Sequence, residues 1–255
     1  MFGLQNRSGS CWVNAALQAL FRFPDIQKRY SSNTFEPGNV IEECLMKMWT
    51  SKGSIGLGEF HEAVRTDTMP AGLNIGDSHE LLNYLCDKVP FLDKLCRFKI
   101  AHSMECVNCK AKTTTRDSVI EFTLDSTEGQ NVPITSCISK TVEPYIVNEW
   151  ECEKCKKRGG MRQQLIGSFP PYMMFHLPLV NTTVDYSSIL ILNGNKYALS
   201  SVVCYNGGHW WTYGRDMPPG SPWFLFDDTN VIEHGPRQFP VSSSMRVLIY
   251  YHLEK

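Results

Sequence analysis

Long apolar runs are missing from this chain. Its most hydrophobic stretches stop well short of the roughly 20 residues that a helix needs to cross a bilayer, so no membrane span is expected. A surplus of charge is missing too. Set against each other, 25 Lys and Arg and 26 Asp and Glu leave −1 at pH 7, too little for a bulk pull toward nucleic acid or an anionic surface. There is no basic stripe interleaved with aromatics, which argues against a zinc-dependent nucleic-acid module. Internal repeats and low-complexity segments are absent, which argues against solenoids and disordered tails. The first motif follows Met1 at once and leaves no room for a secretory signal. An intracellular chain, in cytoplasm and/or nucleus, is therefore expected, and the glycosylation sequons at Asn6 and Asn181 carry little weight.

What remains is an ordinary globular composition. With 255 residues, 42% of them hydrophobic, the chain can build one large domain or two small ones around a real core. Ten cysteines could suggest disulfides, but their spacing does not. Cys106 and Cys109 form one C-x-x-C, Cys152 and Cys155 another, and Cys11, Cys44, Cys86, Cys96, Cys137 and Cys204 are scattered. Two hooks of this kind on two hairpin turns suit one tetrahedral Zn²⁺. Four thiolates leave no open position, so the zinc is expected to be structural. Lys110, Lys112, Lys154, Lys156 and Lys157 would offset its excess negative charge.

The order of elements points to an α+β fold. Val13, Ala16, Leu17 and Leu20 share one helical face, in a helix closed by Pro24. Shorter helices are predicted over "VIEECLMKMW" and "GEFHEAV", and a clear one over "DSHELLNYLCDKV", where Asp77 and Glu80 have the spacing of a capping box. The middle carries the cysteine hooks among polar strands. After it come short β-rich runs, "MMFHL", "YALSSVVCY", "WFLFD" and "RVLIYY", separated by Gly, Pro and Asn turns.

One cysteine stands where a nucleophile could work. Cys11 opens the helix in "GSCWVNAALQAL", where unpaired backbone N–H groups face negative charge. A lone cysteine is more often an inert core residue. A base is available in "NGGHWWTY", which sets His209 between a Gly-Gly turn and a strand, and Asp227 and Asp228 end the strand "WFLFDD". Singly, these read as turn residues. In the order Cys, His, Asp they can form a triad, with the side-chain amide of Asn6 within reach of an oxyanion.

Taken together, these blocks resemble the ubiquitin-specific proteases. "GLQNRSGSCWVNAALQAL" is similar to their cysteine box, and "YALSSVVCYNGGHWWTYGRD" with "PWFLFDD" to their histidine box. "GDSHELLNYLCD" resembles their acidic helix, "SFPPYMMFHL" a palm strand, and the hooks their fingers. The resemblance implies a papain-like thumb–palm–fingers hand in a single catalytic domain: a mainly helical thumb over 1–97, zinc-bearing β fingers over 98–166 and a β palm over 167–255. It implies Cys11 as nucleophile, His209 as base, Asp227 as third member, Asn6 in the oxyanion hole, and Asp228 assisting or replacing Asp227. Asp77 and Glu80 would meet arginines of the ubiquitin tail, and Trp210 would wall a channel that admits only Gly-Gly. Their plainer readings are a capping box and a packed strand aromatic.

The implied activity is thiol-dependent cleavage after the C-terminal glycine of ubiquitin by a monomer. A SUMO isopeptidase is the alternative, favoured by Cys-Trp and the Trp-rich histidine box. A non-catalytic ubiquitin-binding scaffold is a further one, but it would normally have lost part of the triad. The chain departs from the family pattern in several places. Ser8 stands where a glycine is usual, with Gly9 one position late; Trp12 replaces Tyr; Ile75 and Gly76 replace glutamines; and 180–197 is short.

Overall fold

The computed structural model of the chain describes residues 1–7, 9–66, 76–125, 131–178, 183–216, 220–236 and 244–253. Helices come first: α1 (Cys11–Leu20), α2 (Pro24–Ser31), α3 (Val40–Thr50), α4 (Leu57–Thr66), α5 (Ser78–Lys88) and α6 (Pro90–Cys96). Every residue of α1 is buried, which makes it a core helix with no solvent face. Pro24 does more than close it. α1 has already ended at Leu20, and Pro24 opens α2, because a first helical turn has no use for the missing N–H. Pro90 opens α6 in the same way.

The middle begins with β1 (Phe98–Cys106), β2 (Lys112–Val119), β3 (Glu121–Thr123) and β4 (Val132–Pro133). It continues through α7 (Ile134–Val142), β5 (Tyr145–Glu151) and β6 (Arg158–Ile166). A four-stranded sheet in the order β2-β1-β6-β5 carries the cysteine hooks. α7 was not foreseen from "ITSCISKTV", whose Ser, Thr and β-branched residues are weak helix formers. Its buried Ile134, Cys137, Ile138 and Thr141 nevertheless have helical spacing. β3 leaves the four-stranded sheet and runs parallel to a strand of the larger one.

The remaining elements are β7 (Tyr172–His176), β8 (Val184–Asp185), β9 (Ile189–Leu192), β10 (Asn195–Tyr205), β11 (Trp210–Gly214), β12 (Trp223–Asp227), β13 (Asn230–His234) and β14 (Met245–His252). The large sheet follows the path β13-β12-β11-β10-β14-β7-β3, with β9 paired to β10. Its central strands are buried on both faces. Tyr172, Met174, Val203, Val247 and Ile249 join the core under the helices. The alternate residues Met173, Phe175, Val202, Leu248 and Tyr250 join a second core with α7. Double burial explains why "YMMFH" and "VLIYY" are nearly unbroken apolar runs. α1 lies on the helix side of this sheet. Thr212 Oγ1 donates to the Ala15 carbonyl at 2.7 Å and Ser201 Oγ to the Ala19 carbonyl at 3.2 Å, which fixes α1 against β11 and β10.

Candidate active site

His209 is the last residue of the turn between β10 and β11. Asn206 builds that turn, its Oδ1 accepting the N–H of Gly208 at 3.1 Å and of His209 at 2.9 Å. Asp227 ends β12 on the neighbouring strand, and its Oδ1 lies 2.6 Å from His209 Nε2. With Nε2 engaged, Nδ1 is the imidazole nitrogen left to serve a reacting group. Both side chains are partly open to solvent.

Asp228 follows in a two-residue turn to β13, at φ 53°. Its carboxylate accepts from Asn6 Nδ2 at 2.8 Å and from Asn14 Nδ2 at 2.8 Å, and its carbonyl accepts from Leu4 N–H at 2.8 Å. Asn6 is held at both ends, because its Oδ1 also accepts the N–H of Ser10 at 3.0 Å. Among the described residues the second amide N–H of Asn6 meets no acceptor. Cys11 is the first residue of α1 and is nearly buried, its Sγ 4.0 Å from the Gly9 carbonyl. Gly9 has φ 81°, so the glycine sits where the backbone needs one; Ser8 lies outside the described residues.

Asn14 was missed by sequence reasoning. It is 2% exposed and ties α1 to Asp228 and to the Leu4 carbonyl. Gln18, one turn on, holds the Phe2 carbonyl at 2.8 Å. The signal was present, since two amides at i and i+4 in an otherwise apolar core helix must have buried partners. Together they bind residues 2–6 alongside α1 and bring Asn6 close to Cys11.

The acidic helix stands next to this region. Ser78 Oγ donates to the Trp12 carbonyl at 2.7 Å, joining the first turn of α5 to the residue after Cys11. Asp77 caps α5, but its carboxylate takes the His79 N–H at 2.7 Å instead of the N–H at Glu80. Among the described residues Glu80 makes no return bond and is exposed, so the capping box is only half formed. Trp210 is 6% exposed and stacks on Tyr205 with ring centroids 4.5 Å apart, a packed aromatic facing the helical core. Two departures from the family pattern are spatial neighbours. A Cβ at Gly76 would lie 2.6 Å from the Trp12 ring, so the larger aromatic occupies the space a side chain at 76 would need.

The cysteine hooks come together as expected. Cys106 Sγ lies 3.6 Å from Cys155 Sγ and Cys109 Sγ lies 3.7 Å from Cys152 Sγ, with all four sulfurs within 4.8 Å of one another. A tetrahedron with arms of ~2.3 Å has edges of about 3.8 Å, so the cluster suits a metal held by four sulfurs. The hooks share a turn. The first cysteine N–H reaches the carbonyl five residues on (Ala111 and Lys157), while Lys110 and Lys156 N–H return to the first cysteine carbonyls. Lys110 and Lys156 both have positive φ, 57° and 59°.

The family model described as ubiquitin carboxyl-terminal hydrolase matches residues 2–250. The chain is similar to the probable ubiquitin carboxyl-terminal hydrolase 8 of Schizosaccharomyces pombe, 20% identical over 98% of this chain and 64% of that protein. It is also similar to ubiquitin carboxyl-terminal hydrolase 42 of Homo sapiens, 26% identical over 61% of this chain and 14% of that protein. It thus spans less than two thirds of the length of these relatives. Among solved structures, a chain of the Ubp8/Sgf11/Sus1/Sgf73 SAGA DUB module bound to ubiquitin aldehyde superposes with a TM-score of 0.80. The identity is 17%, over 100% of this chain and 70% of that one. A second structure of the module, bound to monoubiquitin, gives 0.82 at 16% identity over 100% and 69%. At such identities the likeness is one of fold, the α+β hand with its cysteine-bearing β fingers. A family model that runs from the residue after Met1 to Tyr250 decides the rest: the chain belongs to the ubiquitin carboxyl-terminal hydrolase family.

Proposed function

We propose that this chain is a cysteine-type deubiquitinase that cleaves the isopeptide or peptide bond after the C-terminal glycine of ubiquitin. The observation that carries the reading is the His209 Nε2–Asp227 Oδ1 contact of 2.6 Å. It orients an imidazole beside a helix whose first residue is Cys11. In the proposed reaction His209 Nδ1 takes the Cys11 proton and Sγ attacks the glycine carbonyl. The uncommitted N–H of Asn6 and a backbone N–H at the start of α1 receive the oxyanion. The imidazolium, steadied by Asp227, then gives its proton to the departing lysine amine. Water, deprotonated by His209, attacks the thioester and releases ubiquitin and the Cys11 thiol.

Several features support the wider reading. The concavity of about 700 Å³ between α5 and the four-stranded sheet, lined by Asn83, Asp87, Arg97 and Arg162, offers charged groups to a protein surface. Asp77 and Glu80, at the start of α5, are proposed to meet the arginines of the ubiquitin tail, a charge match that SUMO would not make. Zn²⁺ is the ion proposed for Cys106, Cys109, Cys152 and Cys155, in a structural role. A monomer in the cytoplasm and/or nucleus completes the proposal.

The test is labelling by ubiquitin carrying a C-terminal electrophile, side by side with the SUMO counterpart. The ubiquitin probe is expected to form one adduct on the parent and none on Cys11→Ala, with the melting temperature unchanged. Labelling by the SUMO probe alone would transfer the assignment to SUMO. No adduct from either probe on folded protein would leave a binding scaffold.

A further inference from the structure

Three side chains that the proposed reaction does not use converge where α5, β3 and β7 meet. His79 lies in the first turn of α5, Glu121 opens β3 and His176 ends β7. The register puts them together. β3 runs parallel to β7 with Glu121 opposite Met174 and Thr123 opposite His176, so Glu121 and His176 share the sheet face that carries Met174 into the helical core. The first turn of α5 is brought over that face by the Ser78–Trp12 bond. His79 Nε2 hydrogen-bonds Glu121 Oε1, and His176 Nδ1 is 3.9 Å from the same oxygen. The imidazoles stack with centroids 3.7 Å apart and planes 11° from parallel. The three side chains are only 18–20% exposed. Among the described residues no Lys or Arg forms an ion pair with Glu121; Oε1 meets the two imidazoles and, at 3.5 Å, Thr123 Oγ1, while Asn83 Nδ2 lies 3.2 Å from His79 Nε2.

We propose that His79, Glu121 and His176 form a second metal site, for a divalent transition-metal ion of borderline softness such as Zn²⁺, Co²⁺ or Ni²⁺. The donor set is two imidazoles and one carboxylate, with a coordination position left for solvent. One ligand atom from each residue lies within 4.8 Å of the others. A tetrahedral ion with arms of about 2.0–2.1 Å needs ligand atoms roughly 3.3–3.4 Å apart. His79 Nε2 at 2.5 Å and His176 Nδ1 at 3.9 Å from Glu121 Oε1 bracket that spacing, so seating an ion requires the side chains to readjust. Of the three, Glu121 also lines the concavity. A bound ion ties the first turn of α5, which carries Glu80, to the large sheet. Any effect on substrate rests on the proposed function; the binding does not.

The test uses Cys11→Ala protein with its four-cysteine cluster loaded with zinc, titrated with Co²⁺. One further equivalent is expected. It should show visible d–d absorption without the near-ultraviolet sulfur-to-cobalt bands that cysteine ligation produces. Adding Glu121→Gln or His176→Gln should weaken it at least about tenfold, the lower end of what losing even an outer partner of a ligand costs. Adding Asp228→Asn should leave it unchanged. Retention of the cluster zinc marks each variant as folded, and the two ligand variants lie on different strands, so either alone decides the matter. No further equivalent overturns the proposal. So does an equivalent that survives both ligand variants and is lost in Asp228→Asn, which would put the ion at His209, Asp227 and Asp228.

Discussion

Asp228→Asn is the most informative single change at the proposed active site. Asp228 lies at φ 53°, which Asn tolerates and Ala does not, so the turn survives. The parent carboxylate accepts from two amides, Asn6 and Asn14, each at 2.8 Å. The new amide offers one oxygen and one NH₂. Asn14 is 2% exposed and Asn6 is open to solvent, so the oxygen turns to Asn14, whose unmet need is the costlier. Asn6 then faces a donor and loses its anchor, keeping among the described residues its bond from Ser10 N–H. Losing one partly exposed charge-assisted hydrogen bond is worth about 1–2 kcal/mol, or roughly 5–30-fold. Because Asn6 in the proposed reaction acts on charge that develops in the transition state, the loss belongs in kcat and not in KM. Removing its amide outright, as Asn6→Ala, should cost on the order of 10²-fold in kcat, about 2.7 kcal/mol. The assay is a double-mutant cycle on a fluorogenic amide of the ubiquitin C-terminus. In the Asn6→Ala background, Asp228→Asn should change kcat by less than about twofold, because nothing remains for it to orient. Multiplicative effects of the two changes would refute the argument that Asp228 works through Asn6.

Cys152→Ser should release the metal of the four-cysteine cluster and lower the melting temperature; elemental analysis showing an undiminished zinc content would contradict the assignment. Asp77→Ala should cost about 1 kcal/mol of stability through loss of the α5 cap, read by denaturant unfolding. Glu80→Ala, with no cap bond to lose, should leave unfolding unchanged and weaken ubiquitin processing by roughly 1–3 kcal/mol. Parental processing by Glu80→Ala would remove that residue from recognition. Gly76→Ala forces a methyl against the buried Trp12 ring and should destabilise by about 1–3 kcal/mol. Trp12→Tyr added to it should recover part of that loss, and a double variant no more stable than the single would show that the two positions do not share space.

Local pattern made much of this protein legible. The 3.6-residue spacing of Val13, Ala16, Leu17 and Leu20 marks α1, and the cysteine hooks mark their shared cluster, because helical faces and metal hooks are set by residues close in sequence. The order Cys11, His209, Asp227 could be read for the same reason, since each stands at an element end marked by its own Gly, Asn or Asp. What the sequence could not show is what meets across the fold. Asn14 is a polar residue in an apolar helix until β12 and its turn deliver Asp228 to it, 214 positions away. Asp77 and Glu80 have the spacing of a capping box, yet the backbone offers Asp77 the His79 N–H, and Glu80 is left to solvent. Trp12 and Gly76 look like unrelated departures until α1 and α5 pack side by side. His79, Glu121 and His176 share no motif at all. Only the parallel pairing of β3 with β7, and the packing of α5 over both, places two imidazoles and a carboxylate together, because that proximity is set by strand register and helix packing, which no local stretch encodes.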